Sequence, residues 1–313
     1  MRYLKDIRDG EQIIGHYLCK QKQTLKSRSG KPYVSIKLQD KTGLVDGKIW
    51  DINNDIDEFD ENCFIKIDGV VSLYQGEYQI SIRRLRVSVE GEYDPMDYIP
   101  CTEKDIQGML TKIREYINQI ENIHIKKLLE SFFVSDEEFL KKFSSHSAAR
   151  SIHHSYMGGL LEHTLTVVEY ADFLCSKYIG VDRDIVIAGA MLHDIGKTEE
   201  LSEFPLNDYT DFGQLLGHIT IGTEMITDKI RQLKNFPQAL EVLIKHCILS
   251  HHGELEYGSP KRPKTIEAMI IHCADNTDAK IKLFEEAIKA EHSQGSWVGF
   301  NRMLGRNIRK SNF

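Results

Sequence analysis

The chain has no cysteine pair at the CxxC spacing of a zinc ribbon or redox motif. Its six cysteines (Cys19, Cys63, Cys101, Cys175, Cys247, Cys273) are scattered. That argues against a disulfide framework and for small buried hydrophobes. No apolar run approaches the ~20 residues that span a bilayer. The stretch Met1-Arg2-Tyr3-Leu4-Lys5-Asp6 holds no apolar signal core. A cytoplasmic protein without membrane contact is therefore expected. Positive charge is not in excess, since the formal net charge is −7. Residues 1–90 carry 15 Lys+Arg against 14 Asp+Glu, and the remainder 25 against 33. Any nucleic-acid contact must then rest on local patches. GxSxG, GxGxxG and P-loop patterns are missing, which leaves no rival nucleophile or nucleotide cradle.

What is present divides in two. The 313 residues suggest two domains, and 41% hydrophobic with 28% charged residues describes an ordinary globular chain. From Gln12 to about Val89 the pattern is β. Val34, Ile36 and Leu38 alternate with polar residues, and Asp40-Lys41-Thr42-Gly43 is a turn. About five strands are expected, with a short helix in the acidic stretch Asp51–Glu61. That count fits a five-stranded barrel of the OB type. Its strands place aromatics (Tyr33, Trp50, Phe64, Tyr74, Tyr78) near basics (Lys37, Lys48, Lys66, Arg84). Such a barrel stacks bases on aromatics while cations follow the phosphates. Tyr33, Trp50 and Arg84 are its candidate contacts.

Helical periodicity follows a linker around Asp94-Pro95. Thr102 with Asp105 reads as a capping box, and Ser135 with Glu138 as the start of a third helix. These helices are expected to bridge the barrel to the second half. The expected boundaries are a barrel over 1–92, bridging helices over 93–150, a helical domain over 151–292 and a tail over 293–313. The tail carries Gly295, Gly299 and Gly305 with Arg302, Arg306, Arg309 and Lys310. Such a basic, glycine-containing tail fits either a mobile segment or a contact with a polyanion.

Nine of the 13 histidines lie between His146 and His252, so chemistry is expected in the second half. At its centre the apolar run Ile185–Leu192 ends in His193-Asp194, and Gly196 is expected to stop that helix as a left-handed residue. Five successive helices each carry a ligand type: His163, His193-Asp194, His218, His251-His252 and Asp275. Spacings of 24 to 33 residues amount to one helix plus a turn, so a bundle can bring them to one point. Imidazole with carboxylate favours Zn, Fe, Mn or similar ions. Six or seven ligands suit two ions better than one, and Asp194 is the natural bridge. Two ions fit phosphoester hydrolysis.

The order His163…His193-Asp194…Asp275 resembles the HD superfamily of metal-dependent phosphohydrolases. The fuller set with His218 and His251-His252 is similar to its two-metal members. The block from His153 to Leu165 (HHSYMGGLLEHTL) and the barrel in front resemble the YhaM family of Gram-positive 3′→5′ exoribonucleases. The resulting fold class is multidomain, an OB-type barrel followed by an all-α HD-type domain. The resemblance implies 3′→5′ polarity, single-stranded RNA as substrate, single-stranded DNA in some members, and manganese-type ions, with Fe, Co, Zn or Mg as alternatives. It implies that His163, His193, Asp194 and Asp275 hold one ion, and that His218 and His251 complete a second. His252 joins them unless the 100° between adjacent helical side chains turns it away. Relatives with extra metals carry glutamate one turn before the first histidine; Gly159 stands there. Lys197 is expected to hold a phosphate oxygen, and Arg150, His153 and His154 a terminal phosphate or base. A homo-oligomer is left open. The competing reading is a phosphohydrolase acting on a small nucleotide, with the barrel regulatory.

Overall fold

The computed structural model describes residues 2–27, 30–51, 55–74, 76–150, 154–291 and 295–311. The chain forms two compact units, Met1–Cys101 with Phe204–Leu206, and Thr102–Glu203 with Asn207–Phe313.

The first unit is a closed barrel of β1 (Gln12–Lys26), β2 (Pro32–Asp40), β3 (Gly43–Ile49), β4 (Phe64–Tyr74) and β5 (Glu77–Val87), in the order β1-β2-β3-β5-β4. β1 serves two neighbours. Gln12–Leu18 pair with β4 and Leu18–Lys26 with β2, and a bulge between Cys19 and Gln21 bends the strand from one to the other. A short parallel pairing of β3 with β5 closes the ring. The period-two alternation fills the interior with Val34, Ile36, Leu38, Ile65, Ile67, Ile80 and Ile82. The described part of the acidic stretch, Asp55–Glu61, contains no helix. Ile56 instead bridges to Leu85 of β5.

The second unit holds α1 (Ile106–Asn118), α2 (Ile123–Phe133), α3 (Glu137–Ser145), α4 (Gly159–Cys175), α5 (Arg183–Leu192), α6 (Lys197–Glu200), α7 (Asp211–Gln232), α8 (Gln238–Ser250) and α9 (Ile266–Ala290), then β6 (Trp297–Asn301) and β7 (Arg306–Arg309). Two caps differ from expectation. Asp105 itself caps α1 by accepting from the Gln107 N–H at 3.0 Å, and Asp136 rather than Ser135 caps α3 by accepting from Phe139 N–H at 2.9 Å. A carboxylate there also meets the positive end of the helix dipole. The helices α1–α3 are not a separate bridge: their Ile113, Leu128, Phe133 and Phe143 belong to the same core as α4, α5 and α9. In the expected tail, Trp297–Asn301 and Arg306–Arg309 pair as a hairpin.

α5 is buried from Ile185 to Leu192. A helix apolar on every side is a central helix, with neighbours around it. Its carboxyl end therefore opens inside the unit, and the next two residues are His193 and Asp194.

Candidate metal centre

His163 comes from α4, His218 from α7, and Asp275 from α9. His193 and His251 are the C-cap residues of α5 and α8, both with helical backbone. Two glycines shape the approach. Gly196 has φ −64° and is not left-handed. Its role is space: a Cβ there would lie 2.0 Å from the His218 carbonyl oxygen and 2.6 Å from Gly222 N. Only a bare backbone lets α7 come this close to the His193-Asp194 segment. Gly217 has φ 71° and breaks the helical path inside α7. The break lets the His218 N–H donate to Glu200 Oε1 at 2.9 Å.

The imidazoles are all held in one orientation. His163 Nδ1 donates to Asp278 Oδ2 at 2.6 Å, and His193 Nδ1 to the Ala190 carbonyl at 2.8 Å. His218 Nδ1 donates to Glu200 Oε1 at 3.1 Å, His251 Nδ1 to the Ile248 carbonyl at 2.7 Å, and His252 Nδ1 to the Tyr257 carbonyl at 3.0 Å. Every partner is an oxygen acceptor, so each Nδ1 carries a proton, and Nε2 offers a lone pair wherever the ring is neutral.

The Nε2 atoms meet around one carboxylate. His163 Nε2 lies 3.2 Å from His193 Nε2 and 3.2 Å from Asp275 Oδ1. Asp194 Oδ2 lies 3.5 Å from His163 Nε2 and 3.3 Å from His193 Nε2. Its other oxygen, Oδ1, faces His218 Nε2 at 3.4 Å and His251 Nε2 at 3.7 Å. His163, His193 and Asp275 are close enough to hold one ion, His218, His251 and His252 another, and His154, His163 and Asp278 form a third such group. Asp194 Oδ1, His218 Nε2 and His251 Nε2 are buried with no hydrogen-bond partner among the described residues. An unsatisfied buried polar atom costs ~1–3 kcal/mol. Three acceptors facing one another are reasonable only around positive charge. The donor set of imidazole nitrogen and carboxylate oxygen fits divalent metal ions.

The local electrostatics express the same demand. Burial alone would push His163 down, but its bonds to Asp194, Asp275 and Asp278 hold it well above the ordinary histidine value. Burial would raise Asp194, yet Lys197 and His193 keep it well below the usual carboxylate range. His251 is driven low, by burial first and then by His252 and His193, so it stays neutral and able to donate its lone pair.

Lys197 Nζ donates to Asp194 Oδ2 at 2.7 Å. It lines a cavity of about 740 Å³ together with His163, Asp194, His218, His252 and Asp275. Arg150 also lines this cavity and pairs with Asp208 at 3.0 Å. His153 lies outside the described residues. His154 does not fit a substrate contact. It is fully buried behind His163, with Nε2 3.0 Å from Asp278 and Nδ1 2.9 Å from the Tyr156 hydroxyl, and presents no face to the cavity. In the barrel, Tyr33 and Trp50 stack with ring centroids 4.7 Å apart. Arg84 is exposed and lies 3.9 Å from Asp55.

Three acids were missed. Asp278 lies one turn past Asp275 and anchors His163, Glu200 anchors His218, and Glu162 sits beside His163. The i,i+3 spacing of Asp275 and Asp278 was the available signal; nothing marks Glu200 among neighbouring solvated acids. Glu162 is buried, accepting from the Thr102 hydroxyl at 2.6 Å and the Tyr156 hydroxyl at 3.0 Å, with Lys104 at 3.2 Å.

The HD domain family model matches residues 160–280, and the OB-fold nucleic acid binding domain model matches residues 19–88. The 3′-5′ exoribonuclease YhaM of Geobacillus sp. (strain WCH70) is 34% identical over 282 residues, covering 90% of this chain and 86% of the relative. The protein of the same name from Bacillus velezensis is 33% identical over 283 residues, covering 90% and 88%.

Two outcomes follow from these geometries. A carboxylate behind a ligating histidine fixes its tautomer, and losing one typically costs 10–100-fold in metal affinity. Asp278→Asn is expected to weaken metal binding by about that factor in titration calorimetry, with the fold retained; unchanged affinity would contradict its role. Glu162 is raised by burial but brought down to about 2 by Thr102 and Lys104. A depressed carboxylate stabilises the fold above its unfolded value, ~4.3, and that contribution fades as pH falls toward 2. Glu162→Gln is expected to lose about 2–3 kcal/mol at pH 7, and the gap to the parent should close below about pH 4. A gap independent of pH in thermal melts would contradict the assignment.

Proposed function

The chain belongs to the YhaM family of 3′-5′ exoribonucleases, and from that premise we propose that it removes nucleotides from the 3′ end of single-stranded RNA with two divalent ions. His163, His193, Asp194 and Asp275 would hold one ion, and His218 and His251, with His252 beside them, would hold the second, with Asp194 placed between the two groups. The observation that carries this reading is the division of Asp194: each oxygen faces a different pair of imidazoles. Manganese is the expected ion, with Fe, Co, Zn and Mg as alternatives. Ions held there would lower the pKa of a water molecule and offset the charge of a phosphodiester in an in-line displacement.

The chain's own residues supply the rest. Lys197 stays charged, because the attraction of Asp194 outweighs the effect of burial. It fixes the bridging carboxylate and turns its remaining N–H groups toward a phosphate oxygen in the cavity. Arg150, steadied by Asp208, is the proposed partner of a second phosphate. In the barrel, Trp50 is half exposed against Tyr33, and with Arg84 it offers a stacking surface and a cation for single strands, RNA first and DNA second. No described helix is long and apolar enough to cross a membrane; a cytoplasmic location is part of the proposal.

The test is an assay of 5′-labelled single-stranded RNA with manganese. Stepwise shortening from the 3′ end is expected, and Asp194→Ala should reduce it by more than about a hundredfold, since removing a ligand should cost more than removing its support. Intact RNA together with turnover of mononucleotides or cyclic nucleotides would overturn this function in favour of a small-nucleotide phosphohydrolase.

A further inference from the structure

The hairpin β6–β7 has a feature that its packing does not use. Its pairs are Trp297 with Arg309, Gly299 with Ile308, Phe300 with Asn307, and Asn301 with Arg306, with a bulge between Trp297 and Gly299. Paired residues share a face, and alternate residues along a strand share a face. Trp297 and Phe300 are three apart, so in a regular strand they would point opposite ways. The bulge adds one residue and returns both to the face of Asn307 and Arg309. The opposite face carries Ile308, which is buried where the hairpin packs on α9. The outward face thus presents two large aromatics, Trp297 at 59% and Phe300 at 64% exposure, with Arg309 directly across from the indole.

Two further observations connect this face to chemistry. The turn between the strands carries Arg302 and Met303, and Met303 lines the same cavity as His163, Asp194, Lys197 and Asp275. Among the described residues, no carboxylate lies within ion-pair distance of Arg302, Arg306 or Arg309. The hairpin therefore joins the cavity wall to exposed rings and uncompensated cations. A polyanion with planar bases complements both features.

We propose that this hairpin binds the single strand just upstream of the 3′ end, with bases stacked on Trp297 and Phe300 and phosphates held by Arg302 and Arg309. Met303 marks where the strand passes into the cavity. The proposal rests on the exonuclease reading of the metal centre and adds the element that makes longer strands better substrates than short ones.

The test compares KM and kcat of the full-length protein, with manganese, on RNA from dinucleotide to decanucleotide. KM of the parent protein is expected to fall as the strand lengthens. In Trp297→Ala/Phe300→Ala that fall should be lost, raising KM on the decanucleotide about thirtyfold, the lower end of base–aromatic stacking for two bases. Trp297→Phe/Phe300→Tyr should restore it, which a folding defect would not allow. Arg309→Gln should reduce the slope of log KM against log salt by about 0.7, the share of one phosphate contact on a single strand. If the parent shortens RNA but the double alanine variant keeps the same KM at every length, the hairpin does not bind the strand and this inference falls alone. A double variant that instead shifts a dimer toward monomer with KM unchanged would assign the face to a second copy, and also overturns it. If the parent shortens no RNA at all, the exonuclease reading fails first.

Discussion

Electrostatic demand at Asp194 governs the helical unit. Five imidazoles have Nδ1 turned outward to fixed acceptors, so their Nε2 atoms face inward. A buried carboxylate walled in by imidazole nitrogens would be among the most costly arrangements a protein interior can hold. Lys197 supplies one positive charge. The remainder of the demand is what makes the site a receptor for cations. The same polarisation is useful to chemistry on a phosphodiester, because a site built to lack positive charge places whatever ion it captures where an anionic substrate can meet it.

The scaffold makes this arrangement affordable through rigid positioning. α5 is apolar on all sides, so its carboxyl end cannot shift without exposing a central core element. The missing side chain at Gly196 lets α7 close over that end, and the broken helical path at Gly217 turns the His218 amide onto Glu200. Asp278 ties His163 to His154 from behind. Ligand geometry is thereby set by packed helices, by the short turns at their ends that carry His193, Asp194, His251 and His252, and by hydrogen bonds one layer out.

Much of this was legible in the sequence, for physical reasons that also explain the gaps. Period-two alternation at Val34, Ile36 and Leu38 and the helical spacing of the second half report burial, which is what sets the folds. The convergence of His163, His193, Asp194, His218, His251 and Asp275 was readable because imidazole and carboxylate at one-per-helix spacing are rare in a core. At Gly196 a glycine after a helix suggests a left-handed turn, but the actual need, space for the His218 carbonyl, comes from a helix more than 20 residues away. His154 was read as a substrate contact because local sequence cannot tell which face of a turn is buried. Asp278, Glu200 and Glu162 were passed over because supporting acids carry no pattern apart from what they touch. The hairpin escaped notice because its face depends on a bulge, which only the pairing reveals.

The central claim is that Asp194 divides two ion sites. Metal content per chain, measured on the purified protein after equilibration with manganese, tests it most directly. The account predicts two ions per chain in the parent, and loss of one but not both in His218→Ala, which removes a ligand from one side of the bridge only. A single ion in the parent, or none, would contradict it.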